Sequence, residues 1–239
     1  MVKIITESKA EIISIKEEAP EFKTFELKSE KEIHYTPGQF VMIWFEDNAS
    51  VKRAYTISDY SEDKHFLSIS VKLVPNGKLT TELFKAKKGD KLIIKGPYGL
   101  IKYENEQEVV VIVGGCGISL FFGLYGYFKE KAFPKELALI YSVPTIKEIA
   151  RKKELIELQE KNKNFRLYFT SPESKGKEKE LQKLRCLTEF IDEKFIKEKI
   201  PFPENKTYFL CGSARMVKAV TQALTELNVP KKQIKHEKW

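Results

Sequence analysis

Apolar and polar residues alternate with a period of two through the first hundred positions. EIISIKEE, KTFELKSE, QFVMIWFE, KRAYTIS, HFLSISVKL and KLIIKG are short and rich in β-branched and aromatic residues. Turn chemistry at Pro20, Pro37-Gly38, Asp47-Asn48, Pro75-Asn76-Gly77 and Gly89-Asp90 separates them. Half-buried strands at this spacing predict a small antiparallel β-barrel. TTELFKA, at 80–86, has helical spacing. From Glu108 the pattern changes. VVVIVGG, at 109–115, is wholly apolar, as a parallel strand buried on both faces must be. Helical ISLFFGLYGYFKE, extended ELALIYSV, helical EIARKKELIELQEK, extended FRLYFTS, helical LTEFIDEKFIKEK, extended TYFLCGS and helical ARMVKAVTQALTEL follow, and QIKHEKW closes the chain as a last strand. This alternation predicts a doubly wound parallel sheet. The polar stretch ENEQE marks the change, so the expected domains are 1–103, a barrel, and 104–239, an α/β fold.

Composition sharpens this picture. In 239 residues, 42% hydrophobic with 16 Phe and 10 Tyr, there is material for two real cores. No apolar run approaches a membrane span, and the N-terminus reads as a strand rather than a leader. Cys116, Cys186 and Cys211 are isolated and odd in number, which argues against a disulfide framework or a cysteine-rich metal site and for a cytoplasmic protein. Lys and Arg total 42 against 34 Asp and Glu, a net charge of +8. The excess is +2 in residues 1–103 and +6 in 104–239. Basic and acidic residues are intermixed, as in KKELIELQEK, so solvated helix faces account for most of them and a nucleic-acid partner is not expected.

Two glycine-bearing turns carry candidate chemistry in the second half. Gly114-Gly115-Cys116-Gly117-Ile118-Ser119 joins a buried strand to a helix, where free N–H groups and the helix dipole favour a pyrophosphate, with Ser119 as a cap or phosphate donor. It is not GxGxxG, because Leu120 stands at the third glycine position, and no acidic residue follows Tyr141-Ser142-Val143-Pro144. Cys211-Gly212-Ser213 ends another strand of the same sheet; its thiol is either a neighbour of whatever occupies the crevice or a small buried side chain. In the first half, Arg53-Ala54-Tyr55-Thr56-Ile57-Ser58 places Arg53, Tyr55 and Ile57 on one strand face and Thr56 and Ser58 on the other. Arg53 offers fixed donors to a phosphate, with a surface Arg as the plainer reading. Gly77-Lys78-Leu79-Thr80 opens a helix whose amides form a second phosphate site, with Thr80 as a cap-type hydroxyl.

In these motifs, their order and their spacing, together with Gly96-Pro97-Tyr98-Gly99 and Met216, nearly the whole chain resembles the ferredoxin–NADP reductase superfamily. The resemblance implies a flavin-binding barrel followed by an NAD(P)-binding α/β domain, with FAD preferred over FMN and either NADPH or NADH as coenzyme. It implies that Arg53 and Thr80 hold the flavin pyrophosphate, that Tyr55 lies against the isoalloxazine and that Thr56 approaches flavin N5. Ala54, Ile57, Ser58, Val71, Lys72, Gly77, Lys78 and Leu79 complete that site. Gly114, Gly115, Gly117, Ile118, Ser119, Tyr141, Ser142, Gly212, Ser213 and Met216 would hold the dinucleotide, with Cys211 beside the nicotinamide. Trp239 would cover the flavin and Glu237 would serve the redox centre. Val143 and Pro144 stand where NADP-preferring relatives carry Arg; Ser171, Lys175, Lys177 and Arg185 are either 2′-phosphate ligands or ordinary surface residues. The implied activity is hydride transfer between nicotinamide and FAD, with electrons passed to an acidic protein such as ferredoxin or to a small acceptor. The alternative is an electron-transfer subunit of a larger redox complex.

Overall fold

The computed structural model describes residues 4–174 and 186–236. β1 (Thr6–Ala19), β2 (Phe22–Ser29), β3 (Phe40–Phe45), β4 (Arg53–Thr56), β5 (Phe66–Lys72) and β6 (Lys91–Tyr98) form an antiparallel sheet ordered β4-β3-β6-β1-β2-β5. An antiparallel bridge between Ile57 and Ile69 joins its two edges, so the sheet curls into a nearly closed barrel. The alternating residues did what the period required: Ile12, Phe25, Leu27, Val41, Ile43, Ile69, Leu92 and Ile94 are fully buried inside. Register shifts within β1 let one long strand pair with β6 through its first half and with β2 through its second. Helix α1 (Lys78–Lys85) sets Leu79 and Leu83 into this core.

One compact unit comprises the chain up to Tyr103 together with Ser119–Ala132; the other comprises Glu104–Ile118 and the chain from Phe133 onward. Most of helix α2 (Ile118–Glu130) thus packs with the barrel. Gly123 and Gly126 explain how. A Cβ at Gly123 would strike the Ile57 carbonyl, and one at Gly126 would strike Asp59 and the Tyr60 amide. Tyr127 stands edge-on to Tyr60 at 5.0 Å and to Tyr103 at 5.6 Å, and Lys131 pairs with Glu62.

The second unit holds β7 (Glu108–Gly114), β8 (Glu136–Ser142), β9 (Phe165–Thr170), β10 (Thr207–Cys211) and β11 (Ile234–His236), all parallel, ordered β11-β10-β7-β8-β9. The chain steps outward from β7 to β9, then returns to the other side of β7. The strand order therefore reverses between β7 and β10. Helices α3 (Lys152–Lys161), α4 (Glu193–Lys199) and α5 (Ala214–Glu226) belong to this unit. Phe195 and Ile196 of α4 and Val220 and Leu224 of α5 pack on Val110, Ile112, Tyr208 and Leu210.

Two helices are shorter than their periodicity predicts. Arg151 takes a left-handed conformation (φ 49°), so α3 starts at Lys152 rather than near Glu148. Leu187 is spent on a parallel bridge to Thr170, and Asp192 caps Phe195 N at 2.8 Å, so LTEFIDEKFIKEK is helical only from Glu193. Among the described residues no helix is long and apolar enough to cross a membrane.

Candidate functional site

In an open parallel sheet, ligands gather outside the carboxyl ends of the strands where the order reverses. Here that point lies between β7 and β10, where both glycine turns meet. After β7, a 3-10 turn (Gly115–Gly117) leads into α2 with no capping side chain on Gly114. Gly115 has φ +52° and open space where a Cβ would stand. Gly117 touches the Cys211 backbone, and Cys211 Sγ lies 3.2 Å from the position of its absent Cβ. Met216 Sδ lies over both strand ends, 2.5 Å from a Cβ at Gly114 and 3.0 Å from one at Gly212. Ser213 caps α5, accepting from Met216 N at 3.3 Å. Glycines thus let two strand ends and a methionine close on one another, leaving a bare backbone turn with room above Gly115. These residues fit a dinucleotide pyrophosphate, which needs uncapped amides and close backbone approach.

Several other residues expected at this site are buried. Ile118 is fully buried, and because α2 begins there, Ser119 sits inside the first turn rather than at its cap. Tyr141 is 1% exposed, its hydroxyl donating to Glu148 O at 3.4 Å, and burial holds that hydroxyl above the usual tyrosine range. Ser142 ends β8 half-buried. Ser171 is no surface residue: it is wholly buried, its hydroxyl donating to Pro144 O at 2.8 Å and bonded to Ser174 Oγ at 2.7 Å. Cys116 is exposed and Cys211 half-buried, while burial pushes the Cys186 thiol up to about 11. Lys175, Lys177, Arg185, Glu237 and Trp239 lie outside the described residues.

In the barrel unit, Arg53 opens β4 with an exposed guanidinium that donates to Lys52 O at 2.8 Å and keeps further donors. Lys52, which the motif did not single out, lies beside it with Nζ 3.9 Å over the Trp44 ring. Ala54, Tyr55 and Thr56 are half-buried, with Tyr55 packed against the barrel core. The expected alternation ends at Thr56. Ile57 is 1% exposed, and Ser58 is fully buried with its hydroxyl accepting from Ser70, which also bonds Thr24. Val71 points into the core, and Lys72 ends β5 half-buried. Helix α1 begins after Gly77 with no side chain capping it, so the amides of Lys78 and Leu79 suit an anion. Thr80 is not that cap: its hydroxyl turns back to Gly77 O at 3.2 Å and accepts from Val74 N at 3.3 Å. A side chain at Gly77 would strike it. Arg53 and the bare start of α1 therefore each suit a phosphate group, and Thr80 braces the loop that opens α1.

Comparison with known proteins bears on both units. Residues 9–103 match the oxidoreductase FAD-binding domain, and residues 111–222 match the oxidoreductase NAD-binding domain. One of the subunits of the Na(+)-translocating NADH-quinone reductase of Marinomonas sp. (strain MWYL1) is 24% identical over 196 residues, covering 77% of this chain and 48% of that protein. The anthranilate 1,2-dioxygenase electron transfer component of Acinetobacter baylyi is 27% identical over 211 residues, covering 87% of this chain and 59% of that protein. The chain thus spans about half the length of the curated relatives it matches. Among solved structures, a ferredoxin reductase in carbazole 1,9a-dioxygenase superposes with a TM-score of 0.81 at 22% identity, covering 98% of this chain and 69% of that one. A ferredoxin NADP+ reductase from Neisseria gonorrhoeae with bound FAD and NADP gives 0.73 at 21% identity, covering 93% and 91%.

Proposed function

Because this chain belongs to the ferredoxin–NADP reductase superfamily of FAD- and NAD-binding oxidoreductases, we propose that it is an NAD(P)H reductase that moves a hydride between nicotinamide and FAD and passes electrons to a separate acceptor. The observation that carries this reading is the bare glycine turn at the strand-order reversal, closed by Cys211 and Met216. FAD, when bound, supplies the redox chemistry: it takes two electrons from nicotinamide and releases them singly. The chain contributes binding and orientation. Arg53 and the amides at the start of α1 hold flavin phosphates, and Tyr55 and Thr56 present their strand to the ring. The Gly114–Gly117 turn holds the dinucleotide pyrophosphate, and the half-buried Cys211 borders the nicotinamide. Glu237 and Trp239 serve at the redox centre, Trp239 as a displaceable cover. An acidic one-electron protein such as ferredoxin suits the +6 excess of residues 104–239; a small acceptor is the other candidate.

A second reading, an electron-transfer subunit of a larger redox complex, is favoured by one observation: the relatives that match over most of this chain are about 1.7 times its length. Anaerobic titration of the purified protein decides. Flavin absorbance bleached by NADH or NADPH supports the reductase, and the faster coenzyme is the physiological one. A protein that takes up neither FAD nor FMN overturns both readings, while uptake and bleaching without turnover of artificial acceptors favours the second.

A further inference from the structure

At the opposite end of the parallel sheet, where β7, β8 and β10 begin, a lysine is buried. The Lys206 side chain is 6% exposed, and its Nζ donates to Glu108 at 3.0 Å and Glu136 at 2.8 Å. Burial alone would lower its pKa, yet the two carboxylates win and raise it. Beside this clamp opens a cavity of about 130 Å3, walled by Val110, Leu137, Ala138 and Ile200 and edged by the exposed Lys135, Lys163 and Arg166.

The next loop, Pro201-Phe202-Pro203, displays an aromatic ring. Phe202 is 69% exposed and its backbone is left-handed (φ 51°), a conformation an aromatic residue adopts only under constraint. The loop is not frayed. Tyr208 Oη and Lys206 N donate to Pro203 O at 3.0 and 3.2 Å, and Asn205 N donates to Phe202 O at 3.1 Å. Gln233 Nε2 donates to Glu204 O at 3.3 Å and to Lys206 O at 3.0 Å. Strain is held in place to keep an apolar ring in water beside a cation-edged recess.

We propose that this face is a docking surface for an acidic protein, with Phe202 as the apolar anchor and the recess as the seat of a partner carboxylate against Lys135, Lys163 and Arg166. An exposed aromatic and an arginine on one face match the residues enriched at interface cores, and Lys135 and Lys163 suit the polar rim. The recess is lined by four cations, Lys135, Lys163, Arg166 and Lys206, against one carboxylate, Glu136, and the balance stays positive when Glu108 and the loop's own Glu204 are added, so the electrostatic complement is acidic. A second copy of this chain would bring like charges together. A flat headgroup layer would leave the concave recess unfilled. Strands of seven residues separate this face from the glycine turns by about 20 Å, so a partner held here leaves the dinucleotide end open. The contact is one of assembly, independent of the cofactor reading.

The test maps two acidic probes, poly-L-glutamate and a poly(Glu,Tyr) copolymer, on the 15N-labelled full-length protein. Amide shifts concentrated on 135–138, 164–166 and 202–206 are expected. Phe202→Ser, which removes an exposed ring, should weaken the copolymer about fivefold but poly-L-glutamate less than about twofold, whereas Lys163→Glu with Arg166→Glu should weaken both about tenfold. Shifts spread over the whole surface, or absent from this face, overturn the proposal. So does Phe202-dependent co-sedimentation with equimolar phosphatidylglycerol–phosphatidylcholine vesicles, or a Phe202-dependent dimer in sedimentation equilibrium.

Discussion

Gly117 and Cys211 meet backbone to backbone: a side chain at position 117 would be driven into the Cys211 carbonyl oxygen. That carbonyl belongs to the end of β10, paired in parallel with β7 at Val113. Gly117→Ala should therefore cost about 1–3 kcal/mol by overpacking and slow NAD(P)H bleaching of the flavin at least about tenfold. Gly115→Ala is the control. Its Cβ meets nothing, so only the strain of φ +52° remains, about 1 kcal/mol. Thermal unfolding of the two variants, read beside bleaching rates, checks the contrast; equal loss of stability in both would refute it.

Arg53→Ala removes the fixed donors at the start of β4. Charge-assisted contacts of this kind contribute about 1.5–3 kcal/mol each, so flavin affinity should fall about ten- to a hundredfold with the barrel intact. Fluorescence of released flavin measures it, and unchanged retention defeats the phosphate assignment.

Acid should loosen the foot of the parallel sheet. The hydrogen bond from Lys206, reinforced by its charge and that of Arg166, holds the Glu136 carboxyl below its ordinary 4.5 against the opposing effect of burial. A carboxyl whose pKa is depressed by folding stabilises the protein fully above its unfolded value, and that stability fades as pH falls through the folded value. Glu136→Gln should thus lower stability at pH 7 but matter progressively less below about pH 4.5. Urea unfolding at both pH values tests this; an equal deficit at both would show that the pair does not titrate as its geometry requires.

Ser213 accepts from Met216 N at the start of α5. Ser213→Ala should cost about 1 kcal/mol and Ser213→Asp much less. Melting temperatures that do not separate the two would mean that the hydroxyl contributes nothing as a cap.

Much of this architecture was legible in the sequence because it is written locally. The period-two segments became β1 to β6, and ISLFFGLYGYFKE became α2 with both boundaries correct, since apolar stripe and turn residues sit within a few positions of one another. The misreadings share a cause, in that distant partners decided them. Leu187 carries a helical pattern yet is claimed by Thr170. Ser171 looks like a surface residue until Pro144 accepts its hydrogen bond and the chain buries it. Lys206 is one lysine among many until Glu108 and Glu136, 98 and 70 positions earlier in the chain, converge on it. Thr80 has the spacing of a cap but turns to Val74 instead. The glycine turns and Arg53 stand out by residue type alone, whereas the Met216 lid over Gly114 and Gly212 exists only once β7 and β10 lie side by side.

The grouping of Ser119–Ala132 with the barrel also bears on biosynthesis. When Tyr103 leaves the ribosome, all six barrel strands have been made, but the helix that covers Ile57, Tyr60 and Tyr103 has not. The nascent barrel must wait for β7 and the glycine turn to emerge before its aromatic flank is closed, so translation order ties completion of the first unit to the opening segment of the second.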